Sequence, residues 1–132
     1  MSGITSLELI EKLIAFDTTS RNTNLDLISF LQEYLANLGV TSSIIQDKTG
    51  KKANLYATVG PENISGIMLS GHTDVVPVDG QNWHTDPFKI VKKGNKVFGR
   101  GTSDMKSFIA ITLATLSKFV AKKHLLPFQK FW

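Results

Sequence analysis

Three side chains in this sequence are of types that could do chemistry: His72 and Asp74, two positions apart, and Asp104 beside two glycines. The first two lie in Ser70-Gly71-His72-Thr73-Asp74, directly after the apolar run Ile67-Met68-Leu69. Open α/β sheets place ligands at the carboxyl ends of such strands. A neutral imidazole is a good zinc ligand, and a carboxylate close by can orient the ring and raise its basicity. Two positions apart, His72 and Asp74 can do this once the strand has begun to turn. From this motif alone a plainer account is favoured, in which His72 hydrogen-bonds a loop and Asp74 starts a turn.

Asp104 stands in Gly99-Arg100-Gly101-Thr102-Ser103-Asp104-Met105-Lys106. Two glycines permit close backbone approach or positive φ. The acid falls immediately before a predicted helix, so Ser103 or Asp104 is also a good N-cap, and many such residues are only that. A dinucleotide loop is excluded because the third glycine is missing and an acid at 104 would repel phosphate. Walker-A spacing is absent as well. Asp104 lies 32 residues beyond His72, so the two can meet only through the fold.

The elements that must position these residues follow from periodicity. Thr5 with Glu8 is a capping-box pattern, and Leu7, Ile10, Leu13 and Ile14 recur at helical spacing, which predicts a helix to Phe16. Residues 17–24 form a polar break. A second helix carries Leu25, Ile28, Leu31, Tyr34, Leu35 and Leu38 on one stripe and stops at Gly39. Strands are expected over 40–46 and 54–59, around a turn at 47–52. Ile67-Met68-Leu69-Ser70 reads as a strand inside a covered sheet. Two further strands, 88–91 and 97–99, are joined through Gly94-Asn95, and an apolar helix spans 105–123. This alternation predicts an α/β fold, a layered mixed sheet flanked by helices.

At 132 residues the chain is sized for one domain, and 42% hydrophobic with 20% charged residues excludes a disordered or collagen-like chain. With no cysteine, disulfide scaffolds, thiolate zinc sites and cysteine nucleophiles are excluded, and a reducing compartment fits. The start lacks the basic and apolar regions of a signal peptide, and the apolar stretch 108–121 is too short to span a bilayer. A cytoplasmic protein with no membrane partner is expected. The net charge of +4 is unevenly placed: residues 1–87 carry five basic and ten acidic groups, residues 88–132 ten and one. After Asp104 there is no carboxylate, and the basic groups of residues 88–132 are Lys apart from Arg100. No nucleic-acid partner is expected. The imbalance suits a chain whose acidic remainder lies elsewhere.

Taken together, His72-x-Asp74, Trp83 with Asp86-Pro87-Phe88, and Gly99-Arg100-Gly101 running into Asp104-Met105-Lys106 resemble the dinuclear-zinc amidohydrolase and aminoacylase family, over nearly the whole chain. Asp17-Thr18-Thr19-Ser20-Arg21, Asn24-Leu25 and His72 through Pro77 look most like its branch that deacetylates N2-acetyl-L-ornithine in arginine biosynthesis. The branch that desuccinylates succinyl-diaminopimelate is the alternative, and a non-catalytic scaffold is the rival of another class. Ser107 departs from the family, which usually has Gly there.

The resemblance implies a zinc-exopeptidase-like catalytic domain of which residues 1–132 are the amino-terminal portion, with the lid domain and the remainder absent. It implies His72 as a ligand to one Zn²⁺, Asp104 as a bridge between two, Asp74 as the catalytic residue clamping His72, and a cis peptide at Asp104–Met105. Co²⁺ is an alternative ion. The implied substrate is a small N-acyl amino acid, and a homodimer is compatible. The family's general base and remaining ligands are carboxylates and a late His. None of those carboxylates follows Asp104 here, and neither His84 nor His124 matches the late ligand. Weak zinc binding and no turnover by this chain alone are expected.

Overall fold

Thr5 opens the first helix by reciprocal capping. In the computed structural model, which describes residues 4–63 and 65–121, its hydroxyl accepts from the Glu8 N–H at 3.2 Å, and Glu8 Oε2 accepts from the Thr5 N–H at 2.7 Å. This box satisfies donors that a helix start leaves orphaned. Helix α1 (Ser6–Ile14) ends two residues short of Phe16 and buries Leu9, Leu13 and Ile14. Leu7 and Ile10 are only half-buried, because the face turned to the third helix is the one centred on Leu9 and Leu13.

Helix α2 (Leu25–Asn37) buries Leu27, Ile28, Leu31 and Leu35. At its end Gly39 takes φ +72°. The Gly39 N–H then donates to Ala36 O at 2.8 Å and the Val40 N–H to Leu35 O at 2.9 Å. This pair of bonds is a Schellman closure, and it tucks Val40 into the core beside Leu35.

Strands β1 (Ser42–Gln46) and β2 (Ala53–Ala57) pair antiparallel, with Ser42 opposite Ala57 and Gln46 opposite Ala53. The Asp47 carboxylate makes the turn between them, accepting from the Thr49 hydroxyl at 2.7 Å and from the Lys51 and Lys52 N–H groups at 3.1 Å. A second antiparallel ribbon joins β3 (Val91–Lys93) to β4 (Lys96–Phe98) through Gly94-Asn95. It starts later than 88 because Asp86 holds a turn there: its Oδ1 accepts from the Phe88 N–H at 2.9 Å. Helix α3 (Lys106–Ala121) follows. Lys122, Lys123, His124 and the closing Phe131-Trp132 lie outside the described residues.

One apolar cluster joins the inner faces of all three helices to Ala53 and Val59, and the α/β class holds. Its strands form two separate two-stranded antiparallel ribbons, with one isolated parallel bridge, Thr19 to Val75. The expected strand at 67–70 is a correction. Residues 65–71 have no strand pairing, and Ile67 and Met68 are 60% and 66% exposed. A strand exists only through its neighbours' hydrogen bonds. Among the described residues no backbone hydrogen bond is made by 66–71.

Candidate metal centre

Asp104 stands on a tight turn made by glycine. Gly101 takes φ +90°, and a Cβ there would lie 2.9 Å from Val75 Cγ1. Its carbonyl accepts from the Lys106 N–H at 2.9 Å, and the Gly99 carbonyl accepts from the Thr102 hydroxyl at 2.9 Å. The Asp104–Met105 peptide is cis. Among the described residues no helix N–H donates to Ser103 or Asp104, so the N-cap account does not describe this turn.

His72 arrives on a segment without helix or strand, held from two sides. On one side Gly71 lies against α3, where a Cβ would stand 3.2 Å from Met105 Cε and 3.3 Å from Phe108 Cδ1. On the other, the Thr18 hydroxyl donates to Thr73 O at 2.6 Å, and the Val75 N–H donates to Thr18 O at 3.1 Å. Asn24 reaches in as well, donating to Thr73 Oγ1 at 3.1 Å while exchanging two 2.9 Å bonds with the Ala53 backbone. Asn24 therefore does not cap α2 with its side chain.

The result is convergence. His72 Nε2 lies 2.9 Å from Asp104 Oδ1. Its Nδ1 lies 3.1 Å from the Asp74 carbonyl and 3.2 Å from Asp74 Oδ1. Both ring nitrogens thus face oxygen acceptors. Partial burial works against the imidazolium, but the hydrogen bond to Asp104 and the contacts with Asp74 outweigh it and raise the His72 pKa. All three side chains are half-exposed or more, with Asp104 at 81%.

This arrangement fits an ion. With Nδ1–H donated to Asp74, Nε2 is the nitrogen left to bind, and an ion would take the place of its proton beside the Asp104 carboxylate. One nitrogen and one carboxylate are half of the four donors that zinc prefers. Among the described residues no three His, Cys, Asp or Glu side chains converge as a metal group, and His84 is exposed in its loop.

Sequence reasoning missed the supports. Lys106 is fully buried, its Nζ donating to Leu13 O at 3.0 Å and Phe16 O at 2.7 Å. Burial lowers its pKa to about 8, with Asp17 opposing. The available signal was its phase: 106, 110, 113 and 114 share one helical face, and the other three are Ala, Leu and Ala. Thr18 and Thr19, read as part of a polar break, are 2% and 1% exposed. No comparable pattern marks them. Away from the pair, Arg21 clasps Asp79 at 2.6 and 3.0 Å. The Arg100 guanidinium stacks 5.4 Å from the Trp83 ring and donates to Gln81.

Residues 68–129 match the family model described as peptidase family M20/M25/M40. Over most of its length the chain is similar to the amino-terminal part of acetylornithine deacetylases. It is 39% identical to that of Pasteurella multocida (85% of this chain, 31% of the relative). It is 35% identical to that of Buchnera aphidicola subsp. Acyrthosiphon pisum (strain 5A) (92% and 33%) and 36% to that of Shigella sonnei (83% and 30%). The chain thus spans about a third of the length of the curated relatives it matches. Among solved structures, human carnosine dipeptidase 1 superposes with a TM-score of 0.78 at 22% identity, covering 96% of this chain and 30% of that one. That likeness is one of fold. Among the described residues no helix is long and apolar enough to cross a membrane.

Proposed function

From a chain similar to the amino-terminal third of acetylornithine deacetylases and matched by the M20/M25/M40 model, we propose the amino-terminal portion of the catalytic domain of a metal-dependent amidohydrolase. The observation that carries the reading is the 2.9 Å approach of His72 Nε2 to Asp104 Oδ1, with Nδ1 turned to Asp74. His72 would bind one ion through Nε2, and Asp104 would bridge it to a second. Asp74 holds the ring by accepting the Nδ1 proton, which fixes the tautomer that leaves Nε2 free. Zn²⁺ suits this donor set, with Co²⁺ as an alternative. A bound divalent ion supplies polarisation of the amide carbonyl and activation of the attacking water. The general base and remaining ligands would come from sequence beyond residue 132, and this chain alone would not turn over.

The name of the relatives supports a small N-acyl amino acid as substrate, N2-acetyl-L-ornithine first. Succinyl-diaminopimelate is the alternative substrate of the proposal, and the cytoplasm its location. Titration of the chain with Zn²⁺, alongside His72→Ala, tests the ligand assignment. Weak binding abolished by the substitution is expected, and equal binding by both chains refutes it. Parallel assay of the two amides on the longer protein tests the substrate.

A further inference from the structure

Burying an ammonium is costly where an apolar side chain would pack freely. Lys106 sits on the buried face of α3, in phase with Ala110, Leu113 and Ala114, and is 0% exposed. Its ammonium donates to two carbonyls, Leu13 O in the last turn of α1 at 3.0 Å and Phe16 O just past the helix at 2.7 Å. A helix carboxyl end leaves carbonyls such as Leu13 O without a helical partner and carries partial negative charge, which a cation satisfies on both counts; Phe16 O, which also accepts from the Thr18 N–H at 3.0 Å, is the second acceptor. The stem has a second contact. A Cβ on Gly101 would stand 3.3 Å from Lys106 Cδ and 3.4 Å from Cγ, with Val75 Cγ1 closing the same gap at 2.9 Å. The Lys106 backbone N–H also closes the turn on Gly101 O. One side chain thus touches the turn that carries Asp104 and the end of α1, and Val75 beside it belongs to the segment that carries His72.

We infer that Lys106 is a positioning residue: by tying the end of α1 to the Gly101 turn, it sets the approach of Asp104 to His72. The inference takes its functional meaning from the ligand reading above, but the approach itself is a feature of the structure.

Because the chain has no cysteine, Lys106→Cys introduces a unique thiol. Alkylating it with 2-bromoethylamine in the unfolded chain rebuilds an ammonium of nearly lysine length before refolding. Imidazole ¹H–¹⁵N spectra of the metal-free 132-residue chain then read His72 directly. Lys106→Met and unmodified Lys106→Cys should move the His72 resonances toward those of Asp104→Asn, and aminoethylation should return them. Leu31→Ala, a packing loss on α2, should leave them in place, which separates positioning from general loosening. If Lys106→Met does not fold, Lys106→Gln is read by the same criterion. Unmoved His72 resonances in a folded variant overturn the inference. In Zn²⁺ titration Lys106→Met should bind about tenfold more weakly than the parent, in the range seen for groups that orient ligands. A parent that binds no Zn²⁺, with the resonances still displaced by Lys106→Met, refutes the metal reading and supports the positioning role.

Discussion

The Thr18 hydroxyl donates a 2.6 Å hydrogen bond to the carbonyl of Thr73, a residue 55 positions further along the chain. The bond fixes the residue next to His72. The donor is shielded, since Thr18 is 2% exposed, and Thr73 is half-buried. Removing the donor leaves a carbonyl without a partner and forfeits more than the net value of the bond. Thr18→Val should lower stability by about 1–3 kcal/mol, read from the denaturant midpoint at unchanged slope. Thr18→Ser, which keeps the hydroxyl, should lose less; equal losses would assign the effect to the methyl group.

Two glycines with positive φ separate backbone strain from crowding. Gly39 at φ +72° has nothing within 4 Å of an added Cβ, whereas at Gly101, φ +90°, Val75 Cγ1 would lie 2.9 Å away. Gly39→Ala should cost about 1 kcal/mol from strain alone. Gly101→Ala should cost at least about 2 kcal/mol, since overpacking adds to strain. Chemical denaturation of both variants checks the order, and a Gly39→Ala cost equal to or above that of Gly101→Ala contradicts it.

Acid should release the loop that latches His72. Asp17 accepts from the Thr19 hydroxyl at 2.6 Å, the Thr19 N–H at 3.0 Å and the Asn22 amide at 3.1 Å. Partial burial pushes its pKa up, but these bonds pull it further down, below the ordinary 3.8. The unfolded chain therefore takes up this proton at higher pH than the folded one. The stabilisation is complete above the unfolded value and is lost as pH falls through the lower, folded value. Thermal midpoints should drop as pH falls below about 4, with a shallower drop in Asp17→Asn. An equally steep drop in that variant assigns the acid response to other carboxylates.

The uncovered run at Ile67 and Met68, 60% and 66% exposed, should bind an apolar fluorescent dye. Ile67→Lys with Met68→Lys should reduce the signal while moving stability by no more than about 0.5 kcal/mol, as surface substitutions do. A large loss of stability would mean that these side chains are packed.

The helices were legible because their causes are local. A capping box, a glycine stop and a 3.6-residue period each act within a few residues, and α1 and α2 begin where those signals stand. The face of α1 was misjudged by a fraction of a turn, since α3, a distant partner, chooses between Leu7 and Leu9. The run at 67–70 was read correctly as apolar but not as unpaired and exposed, because pairing is a property of neighbours. Thr18, Thr19 and Asn24 stood inside the motifs that carried the resemblance without any role. Their bonds to Thr73, Val75 and Ala53 have no short-range period to betray them.

Residue chemistry by itself determined which groups could serve: one imidazole with a carboxylate two places on, and one aspartate at a glycine turn before a helix. It could not bring them together, because no local rule spans the 32 residues between His72 and Asp104. Tertiary structure decided that, through a buried lysine that opens α3 and bonds to the end of α1, a glycine that admits Val75, and a threonine latch on the segment bearing His72. Each is an individually placed contact between distant parts of the chain, and such contacts are set by how the core closes.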